Sequence, residues 1–374
     1  MSRLEENFAV KLRRRRMALG YTQKTLANSI GYSEKAVSKW ESGRVLPPTY
    51  ALLRVADALQ VSLDDLMDFQ EDPSFFLGID GGATKTDFAL ADGEGRIISR
   101  TLLGSSNPVD IGIEAAMEVL EAGIRHVCRG ISLRRISMFA GISGGTSGDN
   151  RERLHAFFSG FHFAKFDNGS DAQPIVAAGL QDRDGMVVIM GTGSVVFVQK
   201  DGVLHRIGGL GYLFDEGGNG YSLGRDVLRA VMAAEDGSGN PTALSGLFAQ
   251  QTGKASALAC LPEFYELGKR GIAAYAPLAI QAASAGDTVA QDILVRNMRQ
   301  IARLLDAGWR KLDQPLKAEV VFVGGLTNHE TLLMPLIQKE LAEKERYRFS
   351  VYRDPAVNGA LLLAGLKKED GQPC

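Results

Sequence analysis

Along the first seventy residues apolar positions recur every three or four, in short runs broken by polar residues or glycine. The pattern predicts five amphipathic helices, over 6–19, 22–29, 33–40, 49–59 and 62–67. After a polar connector, "FQEDPS", the rhythm changes. "FFLGIDGGATKTDFALADGEGRIISR" reads as strand, glycine turn, strand, Asp-Gly turn, strand, and "MVVIMGTGSVVFVQKDGVLHRIGG" at 186–209 repeats that order. Each copy is followed by a helical stretch and then an apolar strand: 113–128 and "ISMFAGI" at 136–142, later 290–312 and "EVVFVGG" at 319–325. A duplicated β-meander with alternating helices and strands predicts an α/β body of two similar lobes with a cleft between them. The expected organisation is a helical head over 1–69, a linker over 70–74, an N-terminal lobe over 75–182 and a C-terminal lobe over 183–374.

Composition narrows the class. Hydrophobic residues make up 45% and charged residues 23% of the 374, and no apolar run approaches the ~20 residues of a membrane span. The opening "MSRLEENF" lacks the apolar core of a secretory signal, so a cytoplasmic protein with no membrane partner is expected. Cys128, Cys260 and Cys374 are too few and too scattered for a disulfide framework or a CxxC metal pair. Charge is uneven: residues 1–70 hold 11 Lys and Arg against 8 Asp and Glu, whereas the remainder is net acidic. A basic head on an acidic body suggests that only the head meets a polyanion.

Within the head, Thr22 and Ser33 stand where helix N-caps belong, and Gly31 lies between the two helices where a tight turn wants positive φ. This is helix-turn-helix spacing. In that geometry Ser33, Glu34, Lys35, Ser38 and Lys39 face bases and phosphates of double-stranded DNA, while Ala36, Val37 and Trp40 face the core. The stretch "YTQKTLANSIGYSEKAVSKWESGRVLPP" resembles the Cro/cI-type (XRE-like) DNA-binding family. That resemblance implies that Gln23 anchors the second helix to a phosphate, that Glu41 and Gly43 shape the exit from the reading helix, and that the protein binds DNA as a homodimer.

In the body, the glycine turns at Gly81, Gly82 and Thr84 and at Gly191, Thr192 and Gly193 let backbone N–H groups approach phosphate. Asp80, at a strand end beside the first turn, is placed to hold Mg²⁺ through water. "GIDGGATKTD" and "VVIMGTGSVV" resemble the two phosphate motifs of the actin, Hsp70 and sugar-kinase superfamily. From residue 75 to residue 366 the chain is similar to the BadF/BadG/BcrA/BcrD-type ATPases, with "GSSNP", "GISGG", "SDA" and "DPAVNGALLLAG" in matching order. The resemblance implies a duplicated ribonuclease-H-like, actin-like ATPase body that uses ATP and Mg²⁺. It further implies Asp171 as catalytic base, with Asp167 as its nearby rival; Asn107, Ser143, Gly144, Asp215 and Glu216 on a sugar; and Gly324 and Gly325 flanking the adenine. Lys85 either reaches phosphate or extends into solvent. Here the chain also departs from the family: Leu210 replaces a tryptophan, and the DEG of "LFDEGGNGY" stands one residue early, which leaves the sugar-contacting acid open.

Two functions compete. One is an ATP-dependent kinase of an N-acetylglucosamine-like amino sugar that carries its own DNA-binding head. The other is a transcriptional regulator whose kinase-like body senses sugar or nucleotide without turnover. ATP-driven activators of radical dehydratases, in the same ATPase family, need iron–sulfur cysteines, and none of the three lies in a phosphate-loop region.

Overall fold

The computed structural model describes residues 3–61, 63–67, 73–215 and 217–367, and the chain falls into two compact units, a helical head and an α/β body. Cys374 lies outside the described residues. Among the described residues no helix is long and apolar enough to cross a membrane.

The head contains α1 (Arg3–Ala18), α2 (Gln23–Ile30), α3 (Glu34–Glu41), α4 (Thr49–Ala58) and α5 (Leu63–Met67), each overlapping its predicted segment. Thr22 accepts from the Thr25 amide at 3.0 Å and Ser33 from the Ala36 amide at 3.2 Å, so both caps form. Gly31 joins α2 to α3 at φ 74°. The core is built from Phe8, Leu12, Leu26, Ile30, Val37, Trp40, Val55 and Leu59. One buried polar knot crosses it. Glu41 receives Arg16 through a two-pronged contact, Nη2 at 2.9 Å, and also the Gln23 amide at 2.8 Å. Breaking such a pair from one side strands a buried charge, so this knot fixes how α1, α2 and α3 meet.

The body contains two five-stranded sheets. The first runs β1 (Phe75–Gly81), β2 (Thr86–Asp92), β3 (Ile97–Leu103), β4 (Ile136–Ile142) and β5 (Lys165–Ser170), in the spatial order β3-β2-β1-β4-β5. The second runs β6 (Gly185–Met190), β7 (Ser194–Lys200), β8 (Val203–Ile207), β9 (Ala318–Val323) and β10 (Tyr347–Val351), in the order β8-β7-β6-β9-β10. The two orders correspond strand for strand, as the repeat predicts. β4 is apolar at nearly every position and buried along its whole length, as an interior strand covered on both faces should be.

Helices α6 (Pro108–Ile111), α7 (Ile113–Val127) and α8 (Asn150–Ser159) belong to the first lobe, and α9 (Ala172–Leu180) leads into the second sheet. Between β8 and β9 the second lobe carries α10 (Gly220–Asp236), α11 (Leu244–Thr252), α12 (Leu261–Glu266), α13 (Gly268–Ala273), α14 (Ala276–Ser284) and α15 (Thr288–Lys311). Then come α16 (Glu330–Glu340) and α17 (Val357–Leu363). The last helix corrects the expected lobe boundary. α17 packs on the first sheet, with Val357 and Leu361 in one apolar cluster with Ala89 and Ala91, so the chain returns to the lobe it began. An apolar helix placed after β10 covers whichever sheet face is still open, and local sequence does not say which.

Candidate functional site

The first glycine turn closes β1 onto β2. Asp80 pairs with Asp87 and Gly81 with Thr86, and the Gly82 amide donates to the Lys85 carbonyl at 2.9 Å. Gly81 has a steric reason as well as the expected phosphate role: a Cβ there would stand 2.4 Å from Ser106 Oγ and 2.7 Å from Ile142 Cδ1. Ser143 N donates to the Gly81 carbonyl at 2.7 Å and Ser106 N to the Gly82 carbonyl at 3.3 Å. The turn, the "SSNP" loop and the "GISGG" turn are thereby laced into one platform.

Asp80 is a partly buried carboxylate among acids. Burial pushes its pKa up to about 6, and the charges of Asp171 and Asp87 add to the shift, with Lys85 only partly opposing them. Asp87 has its own cation, Arg100, at 2.6 Å. Asp171, immediately before α9, accepts from the Ser143 hydroxyl and from backbone amides at its own position and at Ala172, and it feels the charge of Arg206. These lower its pKa, yet burial outweighs them and the net shift is upward. Ser143 therefore addresses the candidate base. Asp167 is exposed on the edge strand β5, with an oxygen turned back to the Asn168 amide.

The second glycine loop joins β6 to β7 and rests on the start of α10. The Gly191 carbonyl accepts from Gly220 N at 2.8 Å, and the Thr192 carbonyl from Tyr221 N at 3.1 Å. A cavity of about 390 Å³ opens over this loop, lined by Asp171, Gly191, Thr192, Gly193, Arg206 and Lys269, with Asp215 also on its wall. A second cavity of about 530 Å³, lined by Gly324, Gly325, Thr327 and Tyr352, shares Ile175 and Ile189 with the first. Gly324 has φ 104°, and a Cβ there would meet the Met190 carbonyl at 2.5 Å. The two compartments adjoin at Ile175 and Ile189, with the candidate base in one and the 324–325 turn in the other.

Other expected residues are placed differently. Asn107 caps α6: its Oδ1 accepts from Val109 N at 3.0 Å and its Nδ2 donates to Asp110 at 2.8 Å. Neither Asn107 nor Gly144 lines the cavity that holds Asp171. Asp215 does line it, but its oxygens accept from the Leu210 and Gly211 amides at 2.9 and 3.0 Å. It pins a loop whose Leu210, Leu213 and Phe214 are largely exposed. Glu216 lies outside the described residues.

Arg206, Lys269 and Arg270 are site cations without a sequence signal. Lys269 and Arg270 sit on α13, and Arg270 donates to Thr84 Oγ1 at 2.7 Å, reaching from the second lobe to the first glycine turn. α13 lies directly on α10, because a Cβ on Gly224 would come 1.9 Å from the Ile272 carbonyl oxygen.

In the head, the cap residue Ser33 and Glu34, Lys35, Ser38 and Lys39 on α3 are all exposed, while Val37 and Trp40 are buried. Gln23 is half-buried and its amide nitrogen is turned to Glu41.

The profile of the BadF/BadG/BcrA/BcrD ATPase family matches residues 77–364, and a helix-turn-helix profile matches residues 12–66. The N-acetyl-D-glucosamine kinase of Dictyostelium discoideum is 27% identical over 314 residues, 78% of this chain and 98% of that protein. The solved structure of a candidate N-acetylglucosamine kinase from Chromobacterium violaceum superposes with a TM-score of 0.60 at 24% identity, over 78% of this chain and 99% of that one. A ROK family transcriptional regulator, a homologue of the E. coli MLC protein, shares the fold at a TM-score of 0.53 and 11% identity, over 96% of this chain and 95% of that one.

Proposed function

The chain belongs to the BadF/BadG/BcrA/BcrD ATPase family, and on that premise we propose that it is an ATP-dependent amino-sugar kinase carrying a DNA-binding head. The observation that carries the proposal is the pair of adjoining cavities: Asp171 and the second glycine loop line one, Gly324 and Gly325 line the other, and Ile175 and Ile189 line both. Phosphoryl transfer needs position and charge neutralisation more than covalent help. A sugar hydroxyl oxygen attacks the γ-phosphorus, the bond to the β–γ bridging oxygen breaks, ADP leaves, and the hydroxyl proton passes to a carboxylate Oδ of Asp171.

Asp80 fits the accompanying Mg²⁺. Its carboxylate is partly buried beside two further acids, an arrangement that a divalent cation stabilises. Among the described residues no group of three His, Cys, Asp or Glu side chains converges to hold a metal alone, so the ion would be shared with water and phosphate. When bound, Mg²⁺ would neutralise the charge of the phosphates.

Mixing the purified protein with Mg-ATP and a panel of hexoses should release ADP with an N-acetylated or free amino sugar. No turnover with any amino sugar sinks the enzyme reading. The second reading, a sugar-responsive regulator, is favoured by the head and by Asn107 and Asp215, both of which hold backbone where a kinase would offer them to sugar. For the head, Lys39→Ala should weaken operator binding and reduce the slope of log K against log salt by about one. An unaltered slope in a salt titration contradicts a phosphate contact at Lys39.

A further inference from the structure

We propose that Lys269 is a catalytic residue that meets the terminal phosphate of the nucleotide. The proposal rests on the nucleotide placement above and assigns the site a cation that the glycine motifs do not supply. Lys269 lines the cavity of Asp171, and a Cβ on Gly193 would stand 3.5 Å from its Nζ, so the ammonium lies against the second phosphate loop. Among the described residues it has no hydrogen-bond or ion-pair partner, so the charge is uncommitted. The two arginines named with it are engaged: Arg206 donates to the Gly208 carbonyl at 3.1 Å and Arg270 to Thr84.

Position along the cleft decides which phosphate Lys269 meets. Gly324 and Gly325 belong to the far compartment, whereas Lys269 shares its compartment with the group that takes the hydroxyl proton. The phosphoryl group in transit must lie within reach of both the loop and Asp171, and that is the region Lys269 faces. Arg270, the next residue, ties α13 to Thr84 in the first glycine turn. One short helix therefore reaches both glycine turns, with Lys269 against the second and Arg270 against the first. An ammonium there neutralises charge on the equatorial oxygens as the bridging bond breaks.

A contact with the terminal phosphate distinguishes ATP from ADP, and binding reads this without turnover. Calorimetric titration of Lys269→Met with the magnesium complex of a non-hydrolysable ATP analogue should show affinity at least about tenfold weaker than wild type. Mg-ADP affinity should stay within about twofold, and Lys269→Arg should recover most of the loss. Equal loss for both nucleotides, or loss for neither, overturns the proposal, with a thermal melt showing that each variant is folded. If the wild type binds the analogue yet phosphorylates no sugar, the kinase reading falls while the two affinities still decide the role of Lys269. If the wild type binds neither nucleotide, both fall.

Discussion

Asp171→Asn is expected to lower kcat with the best amino sugar by about 10²- to 10⁴-fold, the usual contribution of a positioned general base, while sugar and nucleotide affinities barely change. The substitution keeps the size of the side chain, and an amide oxygen still accepts from Ser143. What it loses is the capacity to take a proton. Wild-type turnover should also show an acidic limb. A base works only when ionised, and burial holds Asp171 above the ordinary carboxylate range, so the rate falls as pH drops through that raised value. Steady-state kinetics from pH 5 to 8, beside sugar titrations of the variant, check both. A variant as fast as wild type would show that the proton goes elsewhere, and exposed Asp167 would be a poor second choice.

Asp80→Asn should separate stability from activity. The folded pKa of Asp80, about 6, lies above the 3.8 of an unfolded aspartate, so the folded state holds its proton longer. Stability is then lost as pH rises between those two values, and the whole cost is present above pH 6. The shift corresponds to about 3 kcal/mol. Asparagine resembles the protonated acid and carries no such cost. The variant should match wild type near pH 4, unfold at higher denaturant above pH 6 and, on the proposed role of Asp80 in organising Mg²⁺, lose most of its turnover. Denaturant melts across the pH range in the absence of nucleotide test this; a gap that does not widen with pH would mean that Asp80 is compensated. A site built to bind a cation keeps acids close, and the free protein bears the repulsion.

Much of this was legible in the sequence because it repeats or obeys local geometry. Thr22, Ser33 and Gly31 needed only capping and turn rules, and the two meanders announced two sheets of matching strand order. Asp171 was reached by resemblance, and the cavity places it beside the second loop. What escaped notice has particular causes. Lys269 and Arg270 lie on "GKRGIA", a helix too short to show a period and far in sequence from either loop. Asn107 reads as available in the sequence because its bonds to Val109 and Asp110 exist only once the chain turns into α6. Gly81 suggested a phosphate approach, and the crowding from Ser106 and Ile142 comes from segments distant along the chain. The return of α17 to the first sheet is likewise a tertiary choice.

Gly224 faces neither cavity, yet the reach of Lys269 depends on it. Contact between two main chains leaves no side chain to compress or swing aside, so the spacing of α10 and α13 is a fixed length. Repacking elsewhere in the second lobe can alter what surrounds those helices without altering that length. The ammonium at 269 thus inherits its distance from the loop from bare backbone, and the register between the two glycine turns holds for as long as position 224 carries nothing.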